Sequence, residues 1–247
     1  ARKYDRVVQM GAQRRSAPIL TQGIEQLHKG IIGRVYLAKT WYTNNRKATY
    51  LQPGAIPSWL DYELWQGPAP RAEYKEGLIH YNWHWFWNWG TGEMLNNGTH
   101  FVDLARWGLN VNYPIKAYST GGRFQYKDDW QTPDTQVATF DFEGGKTILW
   151  EGRSCNRRVI NDMGSGVSFH GESGTLELLD NSYKIYDKNN KLIKSVEPTT
   201  NTVVDQKGPG FDMDKAHFAN FINSIDKGEK LFSPYPEIAK SVLLCHL

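Results

Sequence analysis

Trp83-His84-Trp85-Phe86-Trp87-Asn88-Trp89 runs through Gly90-Thr91-Gly92 into Glu93-Met94-Leu95-Asn96-Asn97-Gly98-Thr99-His100-Phe101-Val102-Asp103-Leu104-Ala105-Arg106-Trp107-Gly108-Leu109, and the rest of the chain is organised around this stretch. Four of the ten tryptophans fall in its first seven residues. From Glu93 to Leu109 the spacing predicts a helix: at about 100° per residue, Met94, Gly98, Phe101, Val102, Ala105 and Leu109 share one face, which should be buried. The opposite face lines up Glu93, Asn96, His100, Asp103 and Trp107, a row of hydrogen-bonding groups ending in an aromatic. Indole faces stack on the C–H surface of a sugar ring, while His, Asn, Asp and Glu fix hydroxyls in pairs. A polyhydroxylated ligand therefore suits both halves. The competing reading places the tryptophans in a core and makes His100 a satisfied helical histidine; the clustering favours a site.

Working outward, the 247 residues suffice for one large domain or two small ones with a sizeable core. Twenty-nine basic against 26 acidic residues leave a formal charge of +3 with no long basic run, so neither nucleic acid nor an anionic membrane is expected as a partner. Cys155 and Cys245 are too few for a disulfide framework or a thiolate metal site. His80 and His84 lack the Glu of a zinc protease motif, so no metal is expected. Gly90-Thr91-Gly92 lacks the third glycine of a dinucleotide fingerprint and follows an aromatic loop. No stretch reads as a signal or membrane span.

Upstream, Val7–Gly11 reads as a short strand, Ser16-Ala17-Pro18 opens an amphipathic helix to about His28, and Arg34–Thr43 is a strand. A long polar connection, a short aromatic helix over Ser58–Trp65 and an irregular segment lead to the central stretch. Downstream the pattern becomes sheet. Strands are predicted over Ile115–Gln125, Thr135–Phe142, Lys146–Ser154, Val167–His170, Gly174–Leu179, Ser182–Asp187 and Leu192–Val196, with a hairpin signal at Glu143-Gly144-Gly145. A helix over Asp212–Lys227 should turn Phe218, Phe221, Ile222 and Ile225 to the core, and Pro236–Leu247 reads as a last helix. Helices followed by hairpins predict an α+β domain: a mostly antiparallel, open-faced sheet with helices on one face.

Gln13-Arg14-Arg15, Gly30-Ile31-Ile32-Gly33, Leu64-Trp65-Gln66-Gly67-Pro68-Ala69-Pro70 and above all the Trp87–Trp107 segment resemble the Gfo/Idh/MocA oxidoreductases, and more narrowly their Trp-rich bacterial branch. The resemblance implies hydride transfer between a sugar, glycoside or cyclitol carbon and NAD or NADP. It implies that residues 1–15 are the last strand of, and link to, an N-terminal Rossmann domain missing from this chain, with 16–247 the substrate-binding and oligomerisation domain. By the same resemblance His100 is the catalytic acid/base and Asn96 its orienting neighbour, where the family pattern has Asp. Trp87, Trp89, Arg14, Glu93 and Asp103 would contact substrate, Gln13 would contact the cofactor, and the open sheet face would make a homo-oligomer. A periplasmic location is favoured over a cytoplasmic one. The alternatives are an NAD-dependent glycosidase that oxidises its sugar transiently, or a non-catalytic sugar-binding or assembly module.

Overall fold

The structure is a computed structural model and describes residues 2–198 and 211–247. α1 (Pro18–His28) starts with proline at its first position, where the missing N–H costs nothing. It delivers the chain to β1 (Val35–Thr43). A two-residue ribbon, β2 (Gln52–Pro53) with β3 (Lys75–Glu76), flanks the short α2 (Tyr62–Gln66), whose Asp61 caps the Leu64 N–H. α3 (Thr99–Leu109) precedes β4 (Lys116–Gly122), β5 (Thr135–Phe142), β6 (Lys146–Arg153), β7 (Ser165–Gly171), β8 (Gly174–Leu179), β9 (Ser182–Asp187) and β10 (Leu192–Val196). α4 (Phe211–Lys227) and α5 (Tyr235–Leu244) follow.

The eight long strands form one sheet in the order β10-β9-β8-β7-β1-β6-β5-β4, and only the β1–β6 pairing is parallel. Two antiparallel meanders, β4 to β6 and β7 to β10, are thus joined through β1 at the centre. Gly144 and Gly145 close the β5–β6 hairpin with φ of 75° and 66°, which residues with a Cβ rarely adopt. α1 and α3 share one core with the sheet, where Leu20, Ile24, Phe101 and Val102 meet Ile148, Trp150, Val167 and Phe169. Each such side chain contributes about 1.5–3 kcal/mol on burial. A Cβ on Gly108 would lie 3.0 Å from Leu27 Cδ1 and collide with the Phe169 ring, so this glycine sets how closely α3 approaches its neighbours. The opposite face carries paired charges, Lys39 of β1 with Glu151 of β6 at 3.5 Å and, along β6 itself, Arg153 with Glu151 at 3.0 Å.

Four expectations differ from what the chain does. Val7–Gly11 is not a strand; Gln9 makes a single bridge to Pro234. The helix from Glu93 is not uniform: Met94–Gly98 is a π-turn, and the α-helix begins at Thr99. The segment read as irregular joins a second core: its Leu78 is buried with Tyr62 of the short aromatic helix, Trp85 and Phe86 of the central stretch and the downstream Trp130, and Trp85 stacks on Trp130 at 4.0 Å.

The fourth difference lies in α4, whose expected core face points outward: Phe218, Ile222 and Ile225 are 68%, 52% and 54% exposed. The polar side is the anchored one. His217 contacts Ser16 Oγ at 2.8 Å and Met10 O at 2.9 Å, while Asn220 binds Glu229, Lys230 O and the Phe232 N–H. Buried polar groups with complete hydrogen bonding here outcompete an apolar stripe. Among the described residues no helix is long and apolar enough to cross a membrane, and no cluster of His, Cys, Asp and Glu could hold a metal ion.

Candidate functional site

The π-turn before α3 gathers a polar constellation that a regular helix would spread out. Its wider turn lets Asn96 Nδ2 (3.0 Å) and Asn97 Nδ2 donate to the same Glu93 Oε1. Glu93 is 4% exposed and is held by Arg46, with Nε to Oε2 at 2.5 Å and Nη2 to Oε1 at 3.2 Å. The guanidinium lies over the Trp85 ring at 4.7 Å. Burial acts to lower the Arg46 pKa, but the hydrogen bond and charge of Glu93 outweigh it and hold the pKa above its ordinary value. The Tyr81 hydroxyl accepts from Arg46 Nη2 at 3.0 Å and Asn96 Nδ2 at 3.2 Å. Its own proton remains free to be donated outward.

Asn96 therefore bonds Glu93 and Tyr81, not His100. The geometry also explains the asparagine: its amide donates to the Glu93 carboxylate, which an aspartate at this position would instead repel. Asn96→Asp should place a second negative charge against Glu93 and lower stability by about 1–3 kcal/mol. Urea unfolding checks this, and an unchanged midpoint would contradict it.

His100, on the first turn of α3, makes no hydrogen bond among the described residues. Burial, and then the positive charge of Arg14, push its pKa down to about 4, with Asp103 and Asp214 acting in the opposite direction. The imidazole is neutral at neutral pH. Arg14 comes from the 3-10 turn Gln13–Ser16, lies over the Phe101 ring at 4.6 Å and donates to Asp180 O at 3.2 Å. Burial lowers the Arg14 pKa, and Asp180 partly restores it. Gln13 belongs to the same turn and makes no side-chain hydrogen bond among the described residues.

A histidine whose folded pKa is depressed withholds a proton that the unfolded chain takes up. Stability is thus full above about pH 6.5 and falls as the pH drops toward 4, by about 3 kcal/mol at most from His100. His170 and His217, both lowered chiefly by burial, add in the same direction. In an NMR titration the His100 midpoint should lie near 4 and rise in Arg14→Gln; a midpoint near the ordinary 6.5 would contradict the arrangement.

The other expected ligand contacts are distributed differently. Asp103 is 2% exposed, and both its oxygens are used inside the protein, by Arg15 at 2.7 and 3.0 Å and by Ser241 Oγ at 2.6 Å. It anchors α3 and does not project to a ligand. Trp87 is 57% exposed, and Trp89 lines a cavity with Leu78, Phe86 and Asn88 and a groove with Trp65 and Trp83, and His100 lines neither of these two. His80 stacks on Trp59 and His84 on Trp83. Arg46 and Tyr81 sit in loops without periodicity, and no local signal marked them.

The glycines of Gly90-Thr91-Gly92 serve packing and the entry to the π-turn. Gly90 and Gly92 are required by packing: a Cβ on Gly90 would collide with the His84 backbone, and one on Gly92 would lie 2.5 Å from Thr132 Oγ1. These glycines lead into a π-turn, not from a strand into a helix that could seat a pyrophosphate.

Residues 32–176 match the family model described as the oxidoreductase family, C-terminal alpha/beta domain, of the Gfo/Idh/MocA group. No curated protein matches. Among solved structures, an NAD-binding oxidoreductase from Klebsiella pneumoniae superposes with TM-score 0.69 at 12% identity, covering 100% of this chain and 64% of its own. The aldose-aldose oxidoreductase of Caulobacter crescentus, complexed with glycerol, gives 0.67 at 12% identity, covering 99% and 61%. The WlbA dehydrogenase of Bordetella pertussis, complexed with NADH and UDP-GlcNAcA, gives 0.64 at 16% identity, covering 99% and 60%. This chain therefore spans less than two thirds of the length of the structures it resembles.

Proposed function

The chain belongs to the Gfo/Idh/MocA oxidoreductase family, matching its C-terminal alpha/beta domain, and from that premise we propose that it is the substrate-binding part of a nicotinamide-dependent dehydrogenase of sugars, glycosides or cyclitols. The observation that carries the reading is His100: a neutral imidazole without a hydrogen-bond partner among the described residues, beside the Arg14 cation. A hydroxyl can be oxidised only as its proton leaves, and an imidazole nitrogen free of other bonds is placed to take it. The same Arg14 charge that disfavours imidazolium favours negative charge developing on the substrate oxygen. Tyr81, with an unspent hydroxyl proton, supplies a donor to a second hydroxyl. Asn96 holds Tyr81 and Glu93 in place, a positioning role.

The hydride acceptor, NAD or NADP, belongs in this proposal to a part of the whole protein outside these 247 residues, in keeping with the share of the matching structures that the chain covers. Two bound complexes among those structures, one with NADH and UDP-GlcNAcA and one with glycerol, support hydroxylated substrates. Pairing of copies through the open sheet face completes the reading.

The test is to assay the whole protein with NAD and NADP against neutral sugars, glycosides and cyclitols, following reduced nicotinamide. Net reduction with at least one of them is expected, and calorimetry of the 247-residue chain with NAD should show no tight binding. Release of aglycone without net reduction would replace the dehydrogenase with a transient oxidation, and tight NAD binding by this chain alone would overturn the division of labour.

A further inference from the structure

The tryptophan run that should have walled the His100 site instead walls a cavity of its own. Its volume is about 210 Å³. That lies below the ~300–1,000 Å³ of pockets for drug-sized ligands and suits one small ring. Leu78 and Phe86, 2% and 7% exposed, form the apolar floor, and Trp89 stands as a wall. The rim is polar and partly unspent. Gln131 accepts the Trp87 N–H through Oε1 at 3.1 Å, which leaves its amide protons, and Asp129 accepts the Leu51 N–H through Oδ2 at 2.7 Å, which leaves Oδ1. The Asn88 side chain makes no hydrogen bond among the described residues.

A flat apolar face bordered by paired donors and acceptors matches a pyranose, which presents C–H groups on its faces and hydroxyls around its edge. Charge narrows the class. Glu73 and Asp129 against Lys75 leave the lining net negative, which disfavours phosphorylated, uronic and nucleotide-linked sugars. Sharing Asn88 and Trp89 with the cavity, a groove is lined by Trp65, Gln66 and Trp83.

We propose that the Trp89 cavity binds one neutral sugar residue at a site separate from His100, with the Trp65–Trp83 groove receiving the next residue of a glycoside. Among the described residues none of these side chains hydrogen-bonds or pairs with His100 or the Arg46–Glu93 pair, so the site stands whether or not the chain serves a dehydrogenase.

The experiment follows the indole N–H resonances by two-dimensional NMR, with Trp89 assigned from Trp89→Phe. The probes are glucose, galactose, mannose, N-acetylglucosamine, cellobiose, maltose and lactose, with glucose 6-phosphate and glucuronate as anionic controls. At least one neutral sugar should shift Trp89 saturably, with the anionic sugars weaker by about tenfold or more. Asn88→Ala and Asp129→Asn should weaken binding by a similar factor, while His100→Ala leaves it unchanged. Asn88 is exposed and carries no internal bond, so its variant keeps the fold. The proposal falls if no neutral sugar moves Trp89, or if the shift survives Asn88→Ala and vanishes in His100→Ala. Absence of dehydrogenase activity with Trp89 still responding would remove the proposed reaction and leave this site standing.

Discussion

His100→Ala in the whole protein is expected to lower turnover by about 10²- to 10⁴-fold with little change in KM, the signature of a lost general base. Around this position the other candidate groups are already committed. Glu93 is locked to Arg46 and two asparagine amides, and Asp103 to Arg15 and Ser241. His100 combines a neutral state with a nitrogen that has no partner among the described residues. The loss should fall on kcat because the imidazole acts on a proton in flight, whereas hydroxyl binding is spread over Tyr81 and the remaining donors. Steady-state kinetics of the two proteins provides the check, and near-normal turnover of the variant would move the base elsewhere.

Asp103→Ala should be the costliest single change to stability, about 3–5 kcal/mol by urea unfolding, because it leaves the Arg15 charge buried without its partner. The side chains of Arg15 and Asp103 are 7% and 3% exposed, and the pair joins the turn before α1 to α3. The network continues through Ser241 to Arg106 and on to Glu237, whose pKa is held down at about 2 by Lys240 and Arg106. Replacing both partners, Arg15→Leu with Asp103→Leu, should cost less than the single change, since no charge is then stranded. A loss below about 1 kcal/mol in Asp103→Ala would show that water reaches the site.

What was legible in the chain was whatever depends on local spacing. The hairpin at Gly144-Gly145 and the buried face of α3 through Phe101, Val102, Ala105 and Leu109 lie where periodicity and turn chemistry put them. The same helical spacing set Glu93 and Asp103 on a face that looked free. Periodicity reports which residues share a face and not what arrives to meet them: Arg46 reaches Glu93 from 47 residues away, and Arg15 reaches Asp103 from 88. The π-turn escaped for a related reason, since one inserted residue leaves no mark on so short a pattern. In α4 two stripes competed, and hydrophobicity alone pointed to Phe218 and Ile222, although the buried bonds of His217 and Asn220 decided the matter. The Trp-rich run was read as a wall for His100, but its rings pack with Tyr62 and Trp65 of α2 and with Trp130 from the segment between β4 and β5.

The pH dependence of kcat/KM, measured for the whole protein and for His100→Ala over the range in which both stay folded, addresses the central claim most directly. If His100 takes the substrate's proton, the parent profile loses activity on the acid side as the imidazole is protonated, and the residual activity of the variant shows no such limb. An acid limb of the same position in both proteins would contradict the account and assign the titrating base to another residue.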